Sequence, residues 1–180
     1  MSRITINVFG LDGACREHAE VSNAMAGAFL IWRSLSDKYG LAFNLSHVDR
    51  GLEIWKACEK GLLSELDSIC VRFTFDRVWV KREHAPRLVE ALRAFHRGHV
   101  EGTDITPAIA EVADEIERAA SNPEILGFSF NQTSVSSNQW FEGEDAVPYN
   151  VLTGTRHWEI FDDYKASAPA GAASKPADQP

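Results

Sequence analysis

The stretch from Cys70 to Phe95, CVRFTFDRVWVKREHAPRLVEALRAF, sets the expected fold, because a strand period and a helix period follow each other there without a gap. Val71, Phe73 and Phe75 alternate with Arg72 and Thr74, and after Asp76-Arg77 the alternation resumes with Val78 and Val80. Such a two-residue period belongs to a strand, whose successive side chains point to opposite faces. The spacing predicts a hairpin with Phe75 opposite Val78 and Phe73 opposite Val80, so that one apolar face crosses both strands. Asp76-Arg77 lacks the glycine that a type I′ turn favours, which leaves room for a longer loop. Pro86 fits the first turn of a helix, where its missing N–H costs nothing, and Leu88, Val89, Ala91, Leu92 and Phe95 then form an apolar stripe at helical spacing.

Toward the N-terminus, Ile4, Ile6 and Val8 alternate with Thr5, Asn7 and Phe9, predicting a strand that ends at the turn Gly10 to Gly13. From about Cys15 to Tyr39, the residues Val21, Met25, Ala28, Trp32, Leu35 and Tyr39 recur at steps of four and three before Gly40, the pattern of one long helix with a glycine stop. Leu41, Phe43 and Leu45 predict a second strand, and Asp49 to Lys60 a short helix closed by Gly61.

Toward the C-terminus, Thr106-Pro107 caps a helix whose buried stripe is Ile109, Val112, Ala113, Ile116 and Ala120. Asn122-Pro123 breaks it. Leu126, Phe128 and Phe130 begin another strand, Pro148 to Asn150 reads as a turn or an edge, and Arg156 to Phe161 alternates as a last strand. After Ala166 no large apolar residue follows, so that stretch is expected to remain disordered. The expectation is a single α+β domain over 1–165: a mainly antiparallel sheet, a long N-terminal helix, two or three further helices packed on it, and a disordered C-terminal tail over 166–180.

The chain of 180 residues is 44% hydrophobic, enough for one full-sized core. Its longest apolar run, Ala24 to Trp32, is far shorter than the roughly 20 residues of a membrane helix. The N-terminus alternates where a signal peptide would show an unbroken apolar run, so a cytoplasmic protein without membrane attachment is expected. Cys15, Cys58 and Cys70 are odd in number and widely spaced, which fits reduced thiols.

Charge is divided unevenly. The overall net charge is -8, yet residues 100–180 alone carry 4 basic and 14 acidic side chains. That balance argues against nucleic acid, although the segment from Arg77 to Arg97 is locally basic, and it suits a basic protein partner. On the helix after Pro107, Glu111, Asp114, Glu115 and Glu117 face outward with only Arg118 nearby, so they are expected to stay unneutralised.

Signals for chemistry are weak. His96-x-x-His99 has no accompanying cysteine or carboxylate pair at ligand spacing, so no metal and no cofactor are expected. His47 with Asp49, and His157 with Glu159, are pairs two residues apart that would share a strand face. Cys15 at a helix start with His18 three residues on is a candidate nucleophile and base. No G-x-S-x-G elbow and no phosphate loop occur. A recognition surface is expected instead from Asn131 and Gln132, the aromatics Trp140 and Trp158, the acidic loop Glu142, Glu144 and Asp145, and the helix carboxylates Glu111 and Glu115, because aromatics supply contact area and amides orient it. The leading reading is a non-enzymatic protein-binding module, a small acidic inhibitor or immunity-type protein that neutralises a basic partner. The alternatives are a small hydrolase or transferase using Cys15 with His18, or Thr133 or Ser134 with His157. A further alternative is an oligomeric scaffold, which would show Trp32, Trp55 or Trp79 on its surface.

Overall fold

A computed structural model describes residues 3–22, 24–41, 47–74, 78–102, 108–132 and 149–155. Strands β1 (Arg3–Gly10) and β2 (Cys15–Ser22) form an antiparallel hairpin. Helices α1 (Ala24–Lys38), α2 (His47–Glu59) and α3 (Glu65–Phe73) follow, then β3 (Val78–Lys81), α4 (Ala85–His99), α5 (Ile109–Ala120), β4 (Ile125–Gln132) and the two-residue β5 (Tyr149–Asn150). The sheet order is β2-β1-β4-β3-β5. Its pairings are antiparallel except for β3 with β5, which is parallel.

This architecture is α+β, but it corrects the expectation in three places. The sheet is mixed. The N-terminal region is a hairpin, with the longest helical run at 82–99, where a 3-10 turn over Arg82–His84 leads into α4. The hairpin expected at Val71 to Val80 does not form: Cys70 to Phe73 end α3, and Val80 pairs with Phe128.

Strand β2 replaces the first half of the expected long helix because Asp12-Gly13 makes a tight turn. Asp12 Oδ1 accepts from Ala14 N at 3.1 Å, Gly10 N donates to Ala14 O at 2.9 Å, and Gly13 takes φ 75, a left-handed angle suited to glycine. Helix α3 begins at the N-cap Ser64. Ser64 Oγ accepts from Asp67 N at 3.3 Å and donates to Asp67 Oδ2 at 2.7 Å. The same Asp67 oxygen accepts from Lys38 Nζ at 2.7 Å and from Tyr39 Oη at 2.5 Å, locking the end of α1 to the start of α3. Burial opposes ionisation of Asp67, but the bonds from Lys38, Tyr39 and Ser64 outweigh it and hold its carboxyl below the ordinary range.

Register places Ile4 and Ile6 of β1, Phe128 and Phe130 of β4, and Val78 and Val80 of β3 on one face. That face belongs to a single apolar core with residues from all five helices, among them Leu35, Ile54, Ile69, Leu88 and Ile116, each of which is fully buried. Each such side chain contributes roughly 1.5–3 kcal/mol relative to exposure. The opposite face carries Thr5, Asn7, Ser129 and Asn131, with Phe9, Trp79 and Leu126 forming a small second cluster. The segment 149–155 is tied to α3 and α2: Tyr149 Oη donates to Arg72 O at 2.8 Å, the Arg72 guanidinium donates to Leu152 O, and Tyr149 meets Trp55 of α2 edge-on at 5.3 Å.

The helices expected over 49–60 and after Pro107 appear as α2 and α5, and the strand from Leu126 appears as β4. The segments 42–46, 75–77, 103–107, 133–148 and 156–180 lie outside the described residues. They include most of the expected second strand, the last strand and the tail. No helix among the described residues is long and apolar enough to cross a membrane.

Candidate functional site

The carboxylates of α5 are not the bare acidic face that the sequence suggests. Arg93, from α4, donates to Glu117 at 3.1 and 2.7 Å and to Asp114 at 2.8 Å, and these bonds, to Glu117 first, push its guanidinium pKa up. Glu115 is bonded to Arg118 one turn on, and its Oε2 lies 3.3 Å from His18 Nε2 on β2. Only Glu111 of the four is exposed with no side-chain partner among the described residues. The neutralising cation comes from a different helix, which a search for nearby lysines along one helix misses.

Of the other expected contact residues, Asn131 is exposed on β4 opposite Thr5, and Gln132 pairs with Ile4 in the same strand. Trp140, Glu142, Glu144, Asp145 and Trp158 lie outside the described residues. So do Thr133, Ser134, His157 and Glu159, while His47 and Asp49 fall within α2, not on a strand.

Cys15 and His18 sit on a strand, where residues three apart are separated by roughly 10 Å along the backbone and do not meet as they do on a helix. His18 is moreover the extra residue of a β-bulge, since Ile6 pairs with Ala19 and Asn7 with Glu17. Desolvation pushes the Cys15 thiol up although the residue is exposed, and it does the same for buried Cys58 and Cys70. A nucleophilic cysteine needs the opposite shift. Trp32, Trp55 and Trp79 are all buried, so the exposed tryptophan that would favour a scaffold is not found at these positions. On α4, His99 stacks on Phe95 at 4.6 Å, and among the described residues no group of three or more His, Cys, Asp or Glu is placed to hold a metal ion.

The structure adds a feature that sequence reading missed. A cleft of about 430 Å³ opens between the β1–β2 turn, β2 and the turn joining α5 to β4. Val8, Leu11 and Ile125 give it an apolar wall, and Leu11 is 47% exposed. The two turns are joined by Leu11 N donating to Glu124 O at 2.8 Å, and Asn122 Oδ1 accepts from Glu124 N at 3.0 Å. Arg16 bonds both oxygens of Asp12, one contact being 3.1 Å, and with Ala14 N holds that carboxyl down at about 2. Gly10 lies beneath this pair, and a Cβ there would stand 2.5 Å from Asp12 Oδ1, so a larger residue would displace that carboxylate. Glu124 is exposed and its carboxylate has no partner among the described residues. His18 also lines the cleft, with Nε2 shut off from solvent and unaligned for a hydrogen bond despite the nearby Glu115. Asp12-Gly13 and Asn122-Pro123 are turn signals visible in the sequence, but only the pairing of β1 with both β2 and β4 brings them together.

Chemically, the cleft offers one closed ion pair, one open carboxylate and an apolar wall. No protein family model matches the chain, and neither a curated protein nor a solved structure matches it.

Proposed function

We propose that this chain is a non-enzymatic protein-binding module that docks a basic partner, in the manner of a small acidic inhibitor or immunity-type protein. The observation that carries this reading is the charge asymmetry: residues 100–180 hold 14 acidic against 4 basic side chains. Pairing with Arg93 across helices weakens the contribution of Asp114 and Glu117 to the steering surface, and pairing with Arg118 on the same helix weakens that of Glu115. Glu111, Glu124 and the sequence cluster Glu142, Glu144 and Asp145 remain as its acidic groups. Open carboxylates attract a cationic surface from a distance and raise the association rate, whereas a desolvated aromatic such as Trp140 or Trp158 sets the lifetime of the complex.

The test is association kinetics with a partner captured by the full chain. Reversing Glu142, Glu144 and Asp145 to lysine slows association and flattens its salt dependence, while Trp140→Ala speeds dissociation at a cost of roughly 2 kcal/mol. An unchanged rate and salt slope for the triple reversal removes the reading.

A further inference from the structure

The geometry points to the cleft between the β1–β2 turn and the α5–β4 turn as the seat for one long basic side chain, an arginine or lysine, of the partner; this inference rests on the protein-binding reading above. A small anion is the first occupant to weigh, because Arg16 lines the cleft. Arg16 is already engaged by both oxygens of Asp12, and Asp12 stays ionised through the neutral range, so an anion would have to break that pair. The carboxylate without a partner among the described residues is that of Glu124, which also lines the cleft.

Four properties then match one class of occupant. The wall of Val8, Leu11 and Ile125 suits the aliphatic stem of arginine or lysine, which buries its methylenes while its head stays polar. Leu11, nearly half exposed, is an apolar side chain at the rim that such a stem would cover. Glu124, exposed and lining the same cleft, supplies the counter-charge. The volume of about 430 Å³ is that of a site for one side chain or small ligand, not of a groove for a helix.

The experiment is a nitrogen-15 NMR titration of the full chain with acetyl-Gly-Arg-Gly-amide and acetyl-Gly-Lys-Gly-amide, against the norleucine tripeptide. The basic peptides are expected to shift the amides of Leu11, Arg16 and Glu124, with affinity on the order of millimolar for so small a probe. Glu124→Gln weakens both by about threefold or more, in line with an exposed charged pair, and Glu59→Gln, at an exposed carboxylate on α2 outside the cleft, leaves them unchanged. The unshifted remainder of each spectrum shows that the variant is folded. Equal binding of the norleucine peptide, an unaffected Glu124→Gln variant, or shifts confined to the outer face of α5 overturns the assignment. Failure here leaves association with a captured partner to be judged through residues 142–145, so the two readings fall separately.

Discussion

Arg93 on α4 clasps Glu117 on α5 through two hydrogen bonds of 3.1 and 2.7 Å and reaches Asp114 at 2.8 Å with the second of those nitrogens. One guanidinium therefore engages two carboxylates, and halves their net charge, on a helix whose sequence reads as bare acid. Arg93→Ala re-exposes them. The expected outcome is faster association with a cationic partner at low salt and a steeper salt dependence, because loss of the guanidinium makes the net charge of that face more negative by one. Thermal stability should move little, since both carboxylates are largely exposed and Arg93 is itself partly exposed. A rate that falls on removing Arg93 would show that the cation itself is part of the contact.

Asp67 makes stability depend on pH. Its folded-state pKa lies below the ordinary 3.8, so the bonds from Lys38, Tyr39 and Ser64 contribute fully above that value and are lost as pH falls through the lowered one. Asp67→Asn should cost about 1–3 kcal/mol in urea unfolding at pH 7. The difference between the two proteins should shrink below pH 3.8 as the native carboxylate becomes protonated. A gap that persists undiminished in strong acid would mean that shape, not charge, joins α1 to α3.

Gly154 and Arg72 are coupled sterically. Gly154 takes φ 73, and a Cβ there would stand 2.8 Å from Arg72 Nε. Gly154→Ala should cost about 1 kcal/mol or more from the backbone alone, with the side-chain clash added to it. In an Arg72→Ala background the clash disappears while the backbone cost stays, so a double-mutant cycle should return a non-zero coupling. Simple additivity would place the cost entirely in the backbone angle.

For the thiols, reaction with a thiol reagent should remain slow in acid for all three cysteines, with exposed Cys15 the first to react as pH rises. A fast phase near about pH 6 that Cys15→Ser abolishes would restore the nucleophile reading.

What could be read in the sequence followed burial geometry. Ile4, Ile6 and Val8 alternate because β1 is an interior strand with one face on the core, and Leu88 to Phe95 show a stripe because α4 is buried on one side. Alpha helix α3 defeats such reading: Asp67, Ser68, Ile69, Cys70, Val71 and Phe73 are all buried, so enclosure on several sides erases the helical stripe, and the apolar residues happen to alternate. Its true signal was the cap Ser64-x-x-Asp67. Strand β2 fails in the opposite way, since it is an edge with Val21 as its one fully buried residue, and Glu17 to Glu20 are unremarkable in a helix. Asp12-Gly13, the strongest short hairpin signal in the chain, outweighs that composition. The cleft was illegible because its lips, Leu11 and Glu124, are neighbours only through long-range pairing.

That pairing also governs how the chain emerges from the ribosome. Strand β1 and its hairpin partner are complete by Ser22, but the other edge of β1 must wait for β4, which begins at Ile125. At ordinary elongation rates the wait is on the order of 10 s, far longer than hairpin formation takes. During that interval the apolar face of Ile4 and Ile6 and a row of unbonded amides stand open to other nascent chains. Slowing translation between the hairpin and β4 should therefore lower soluble yield while leaving the stability of the finished protein untouched.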